Sequence, residues 1–164
     1  MNHDPAPSTA AHAPNDPSGV VGSGVWLASV FAAKAHDGQK RRDGQTAYIM
    51  HPQAVAYKLR HEAAEVVMTA WLHDVLEDTA ETPETMRAAG IPERVIETVR
   101  VLTKTEGVSY REYLERVKSD EIARKVKVAD MLHNLSDAPT DRQIVKYAKG
   151  LLVLANADDE PRRI

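Results

Sequence analysis

The sequence predicts an all-α fold, and three observations carry that expectation. Beyond Gly22 the apolar residues recur at helical spacing, helix-capping signatures punctuate the chain, and no strand-length alternation bounded by hairpin turns occurs. The chain has 164 residues, 43% hydrophobic and 27% charged, with 8 Gly and 9 Pro, which suits one domain of ordinary globular composition.

Taken in order, residues 1–22 are expected to form a disordered tail. Pro5, Pro7, Pro14 and Pro17 interrupt small and polar residues there, so no face is available to bury, and His3 and His12 read as surface imidazoles. Trp26, Val30, Phe31 and Ala35 mark the inward side of a first helix ending near Gly38. A second starts after Pro52 with Val55, Ala56 and Leu59 inward, and a third carries Val66, Val67, Ala70, Trp71 and Val75 into the acidic pair Glu77-Asp78. Thr82-Pro83-Glu84-Thr85 reads as an N-cap with proline at the first helical position, and Gly90 supplies a stop. Pro92 opens a helix with Val95, Ile96, Val99 and Leu102 inward, and Ser109-Tyr110-Arg111-Glu112 has the form of a capping box. Ser119 is expected to cap a helix burying Ile122, Val126, Ala129 and Leu132. Thr140 with Gln143 repeats the box before Ile144, Tyr147 and Leu151. The folded domain is expected over residues 23–157, followed by a short C-terminal tail at 158–164.

Composition narrows the function classes. With 21 Lys+Arg against 24 Asp+Glu the formal charge is −3, so no global positive field exists to hold a polyphosphate backbone, and a nucleic-acid partner is not expected. The absence of Cys removes disulfides, thiolate zinc sites and thiol nucleophiles together, leaving His, Asp and Glu as metal ligands. No apolar run approaches the roughly 20 residues a bilayer crossing needs, and the N-terminus lacks a signal-peptide pattern, so a soluble cytoplasmic protein with no membrane partner is expected.

Three places carry groups suited to a metal or to acid-base chemistry: His51, the run His73-Asp74-Val75-Leu76-Glu77-Asp78, and Asp130 with His133 and Asn134. On a continuous helix Glu77 would follow His73 by one turn and Asp78 would follow Asp74, projecting two polar columns from an apolar segment. Burying such groups is unfavourable unless they are paired, hydrogen-bonded or bound to a cation. Glu77 and Asp78 also suit a surface turn. Asp130, however, interrupts apolar neighbours far from any signalled helix end. Spacing alone accommodates both a shared metal centre and a set of satisfied core polar groups.

The adjacent His73-Asp74, with upstream His51 and distant Asp130, resembles the metal-dependent HD phosphohydrolases. More narrowly, five motifs resemble, in order, the hydrolase domain of the RelA/SpoT alarmone enzymes. They are His36-Asp37-Gly38-Gln39-Lys40-Arg41-Arg42, Tyr48-Ile49-Met50-His51-Pro52, His73 to Asp78, Leu102-Thr103-Lys104 and Lys127 to Leu135. They cover roughly residues 25 to 150, and the similarity is greatest to the small stand-alone alarmone hydrolases of the Mesh1 type. The resemblance implies a compact multi-helix HD-domain bundle.

It also implies one manganese ion held by His51, His73, Asp74 and Asp130, a set of nitrogen and oxygen donors that also accepts Fe²⁺, Zn²⁺ or Mg²⁺. By the same resemblance Glu77 orients or deprotonates water, while Asp78 assists or holds a ligand histidine. Arg41 would stack on the base, Arg42 would seat the base or its phosphates, and Asn134 would contact the nucleotide near its sugar. Lys104 is expected at a phosphate, and Tyr48 and Tyr147 at the pocket. His36, His61 and His133 are expected to be supporting or structural.

The implied partner is a small nucleotide. The implied reaction removes the 3′-diphosphate of (p)ppGpp to give GDP or GTP and pyrophosphate, and self-association into a homo-oligomer is left open. Many relatives have Arg after Asn-Leu, whereas this chain reads Ser136-Asp137, which opens the alternatives of (p)ppApp or the 2′-phosphate of NADPH. A non-catalytic nucleotide-binding or antitoxin-like partner is the reading from another class.

Overall fold

The structure is a computed structural model that describes residues 19–155, with side chains from residue 22 onward. Among the described residues the elements are all helical: α1 (Gly19–Ala35), α2 (Met50–Lys58), α3 (Ala64–Leu72), α4 (Val75–Asp78), α5 (Pro83–Ala88), α6 (Glu93–Leu102), α7 (Tyr110–Lys118), α8 (Glu121–Ser136) and α9 (Asp141–Leu154). One isolated antiparallel bridge, Lys40 to Ala47, pins the loop between α1 and α2. No described helix is long and apolar enough to cross a membrane.

α3 is the hub. It is buried on nearly every side, as its sequence AEVVMTAWL requires, because a helix without a polar face must be covered all round. On one side α1 and α6 pack on it, with α5 behind α6, in a cluster that includes Ala28, Ala32, Leu72, Val75, Met86 and Ile96. On the other α2 and α8 pack on it, with α7 and α9 against α8, in a cluster that includes Val55, Val67, Leu114, Val126, Met131 and Leu154. The site lies where the C-terminal end of α3 meets α2 and α8.

The capping signals settle helix starts where they are local. Thr82 with Thr85, Ser109 with Glu112 and Thr140 with Gln143 each form both halves of a reciprocal cap, and Gly90 adopts φ +88° after α5. The start of α8 differs: Asp120 accepts from the Ala123 N–H at 2.9 Å, while the Ser119 hydroxyl turns back to donate to the Arg116 carbonyl. Both residue types cap helices, but only Asp120 has the extended backbone a cap needs.

α1 begins at Gly19, so the last four residues assigned to a tail are helical, while residues 1–18 and 158–164 lie outside the described ones. Glycine is a poor helix former, but docking overrides propensity here. A Cβ on Gly24 would stand 3.0 Å from the Met68 sulfur, so the missing side chain lets α1 close on α3. The buried side of α1 also differs from the expected one. Trp26 and Val30 are 65% and 45% exposed, and Ala28 and Ala32 take their place because small residues allow close helix approach. Leu132 at 47% and Ile144 at 44% likewise face outward, with Met131 buried in place of Leu132.

Candidate active site

His51 and His73 arrive from different helices. His51 occupies the first turn of α2, where Pro52 loses nothing because early helix N–H groups have no intrahelical partner. His73 closes α3, and the chain then breaks: Asp74 takes φ −100° and ψ −6° before α4 resumes at Val75. The sequence suggested one continuous helix there. Backbone bonds from the Glu77 and Asp78 N–H groups to the Asp74 carbonyl keep the turn regular, at 3.2 and 2.9 Å, so Asp74 and Asp78 still share a side.

Four polar atoms meet at the break. His51 Nε2 lies 3.0 Å from Asp130 Oδ1, 3.3 Å from His73 Nε2 and 3.5 Å from Asp74 Oδ2. His73 Nε2 lies 3.2 Å from Asp74 Oδ2 and 3.8 Å from Asp130 Oδ1. His51, His73 and Asp130 are buried and form a group able to hold a metal ion. Asp74 joins through Oδ2.

The residues fit a divalent cation. His73 Nδ1 is 2.8 Å from the Ala70 carbonyl, which can only accept, so Nδ1 carries the hydrogen and the neutral ring points the Nε2 lone pair at the other three atoms. His51 Nδ1 is 2.9 Å from His133 Nδ1. Burial and the neighbouring His51 and Arg41 hold His133 below its ordinary value; when its neutral ring accepts from His51, the second lone pair is also directed inward. Lone pairs of two imidazoles and two carboxylates cannot converge without a shared positive charge. In the metal-free protein a proton takes that part: burial opposes the His73 imidazolium, but Asp74 and Asp130 outweigh it and push His73 up to about 10. Two nitrogens and two oxygens, with no sulfur, suit a borderline-hard divalent ion.

Asp130 is over-determined. Its Oδ2 receives Lys127 Nζ at 2.8 Å, and its Oδ1 receives Asn134 Nδ2 at 2.6 Å. Burial works against its charge, yet Lys127 and the two histidines hold the carboxyl well below the usual range. Asp74 is similarly low: His73 outweighs the cost of burial. Tyr48 donates toward Asp74 Oδ2 at 2.7 Å and Asp78 Oδ2 at 2.8 Å, and burial together with those carboxylates pushes its phenol far upward. Glu77 Oε2 accepts from the Lys104 backbone N–H at 3.0 Å.

A 330 Å³ pocket opens over these groups. Its walls include Arg41, Tyr48, His51, Asp74, Glu77, Lys104, Asp130, Asn134 and Tyr147 from the residues singled out in the sequence, and also Tyr110, Tyr113, Lys127 and Lys146. Burial, Lys127 and Lys104 lower the Lys146 value more than Asp130 and Glu77 raise it. A neighbouring 320 Å³ recess is lined by Arg41, Arg42, Asp43, Thr46, Asp137 and Ala138. There Arg41 pairs with Asp137, and Arg42 donates to Gln143 and to the Asp137 carbonyl.

His36 is buried beneath Tyr48, whereas His61 is exposed. Sequence reasoning missed Lys127 and Lys146. Lys127 had a signal, since it precedes Asp130 by three residues on one helix face. Lys146 had none, because its relevance comes only from α9 packing beside α7 and α8.

A family model described as HD domain matches residues 28–152. The chain is 36% identical over 118 residues to the guanosine-3′,5′-bis(diphosphate) 3′-pyrophosphohydrolase MESH1 of Danio rerio, covering 65% of this chain and 64% of that protein. It is 38% identical over 121 residues to MESH1 of Homo sapiens, covering 67% and 66%. It is 33% identical over 121 residues to the bifunctional (p)ppGpp synthase/hydrolase SpoT of Escherichia coli, covering 66% and 17%. The match therefore spans just under two thirds of the MESH1 relatives and a small part of SpoT. A solved structure described as "A metazoan ortholog of SpoT hydrolyzes ppGpp and plays a role in starvation responses" aligns with a TM-score of 0.67 and 27% identity, covering 88% of this chain and 86% of that one.

Proposed function

We propose that this chain, which belongs to the HD-domain family, removes the 3′-diphosphate of (p)ppGpp to give GDP or GTP and pyrophosphate. The observation that carries the reading is the buried meeting of His51, His73, Asp74 and Asp130 beside a lysine-walled pocket. The names of the MESH1 and SpoT relatives support the substrate. Those four side chains would hold the ion, which we assign as Mn²⁺. Such an ion supplies Lewis acidity and makes water a stronger nucleophile near neutral pH.

The remaining work falls to the chain's own groups. Glu77, steadied by the Lys104 N–H, orients the attacking water and takes its proton. Attack at the phosphorus next to the ribose breaks its bond to the 3′ oxygen, which needs a proton as it leaves, and Asp78 assists that transfer. Lys104, Lys127 and Lys146 face the diphosphate and offset its charge. Asn134 and Tyr147 line the wall for the sugar. Arg41 and Arg42 take the base end, where the Asp137 carboxylate beside Arg41 favours a purine edge that donates hydrogen bonds.

The test incubates purified protein with ppGpp, ppApp and NADPH, with and without Mn²⁺, and identifies products by chromatography. The expected result is metal-dependent release of pyrophosphate with the highest kcat/KM on ppGpp. Glu77→Gln is expected to lower kcat by about 10²–10⁴-fold, the usual range for removing a positioned acid or base. No pyrophosphate from ppGpp alongside ready cleavage of another nucleotide would overturn the assignment. If Asp74→Ala abolished hydrolysis yet kept the full biological effect, nucleotide binding would be the function.

A further inference from the structure

The segment joining α1 to α2 carries a buried histidine and a glutamine that the chemistry above does not use. His36 Nδ1 lies 2.8 Å from Gln39 Oε1, and Gln39 Nε2 donates to the Asp78 carbonyl at 2.8 Å. The carbonyl can only accept, so the amide orientation is fixed at both ends, with His36 donating. The His36 ring also packs on Tyr48, with centroids 4.8 Å apart, and the Tyr48 N–H donates to the Gln39 carbonyl at 3.0 Å. Tyr48 then reaches the Asp78 and Asp74 carboxylates. Asp78 is thereby held twice from one loop, by its carbonyl and by its side chain, just after the break that ends α3.

We infer that His36, Gln39 and Tyr48 form a positioning brace that fixes Asp78 against Asp74, with Tyr48 acting through these carboxylates rather than by contacting the nucleotide. α4 has only 4 residues, too short to hold its own geometry, so an external support is required. The His36-to-Gln39 motif supplies it, and its turn is closed locally by the Gln39 N–H on the His36 carbonyl.

The inference rests on the proposed hydrolysis for its kinetic test and on none of it for its structural one. Tyr48→Phe and Gln39→Met, both close in volume, are expected to lower kcat about tenfold each while KM changes less than about twofold, the pattern of a group acting only in the transition state. In an Asp78→Ala background each is expected to cost less than about twofold, because the carboxylate that the brace positions is gone even though Gln39 still meets the main-chain carbonyl of residue 78 and Tyr48 still meets Asp74. Persistence of the full effect there, or a tenfold rise in KM at unchanged kcat, would overturn the brace. Hydrogen exchange read by NMR on the full chain decides the matter without turnover. The Glu77 and Asp78 amides are expected to exchange about tenfold faster in either variant, with α6 unchanged. Unchanged exchange would contradict the brace. A wild-type protein that cleaves no alarmone would refute the hydrolysis alone.

Discussion

At Asp130 a single carboxylate is met by an ammonium, an amide and two imidazoles, and that density of partners makes its neighbourhood sensitive to pH. His73 has an ordinary value of 6.5 and is pushed up to about 10 in the folded, metal-free chain. A group whose folded value is raised stabilises fully below the unfolded value, and its contribution is lost as pH climbs through the folded one. The melting temperature of metal-free protein should therefore fall between pH 6.5 and about 10, and His73→Gln should remove that part of the slope. A flat profile in the parent would contradict it. Asp130 stood out in the sequence because it interrupts an apolar run, whereas the roles of His51, His73 and Asp74 came through the motif resemblance. The hydrogen-bond partners of Tyr48 and His133 were not legible there, since they lie 26 to 82 residues away on other elements.

Helices were readable wherever a start or stop is chemically local, as at Thr82, Ser109, Thr140 and Gly90. They were unreadable where packing decides. No glycine or proline marks the break at His73-Asp74, and in α1 two alanines take the buried side while a tryptophan stays in water. Gly150 shows the same tension inside α9. Helix propensity favours alanine there by about 1 kcal/mol. A Cβ would nevertheless stand 2.9 Å from Met131 Cε in the core and 3.2 Å from the Tyr110 hydroxyl, which lines the pocket. Gly150→Ala should destabilise the protein by a net ~1 kcal/mol, since overpacking a buried methionine costs about 1–3 kcal/mol. Denaturant melts at constant m-value would read it; a gain in stability would show that Met131 yields freely.

The site belongs to the whole molecule. Groups lining it come from the α1–α2 and α6–α7 connections and from α2, α4, α7, α8 and α9, with Asp74 from the α3–α4 break, so no part of the fold holds it alone. A chain of net charge −3 still gathers Lys104, Lys127, Lys146 and Arg41 at one opening, which global composition concealed. What unites these elements is the requirement that two imidazoles and two carboxylates share one cation. Metal titration of the purified, chelator-stripped chain by equilibrium dialysis against Mn²⁺ measures that requirement directly. About one ion per chain is the predicted stoichiometry, with binding lost in Asp130→Ala and His73→Ala, because removing a ligand leaves the set incomplete. Failure of the parent chain to retain any ion, or undiminished retention by both variants, would contradict it.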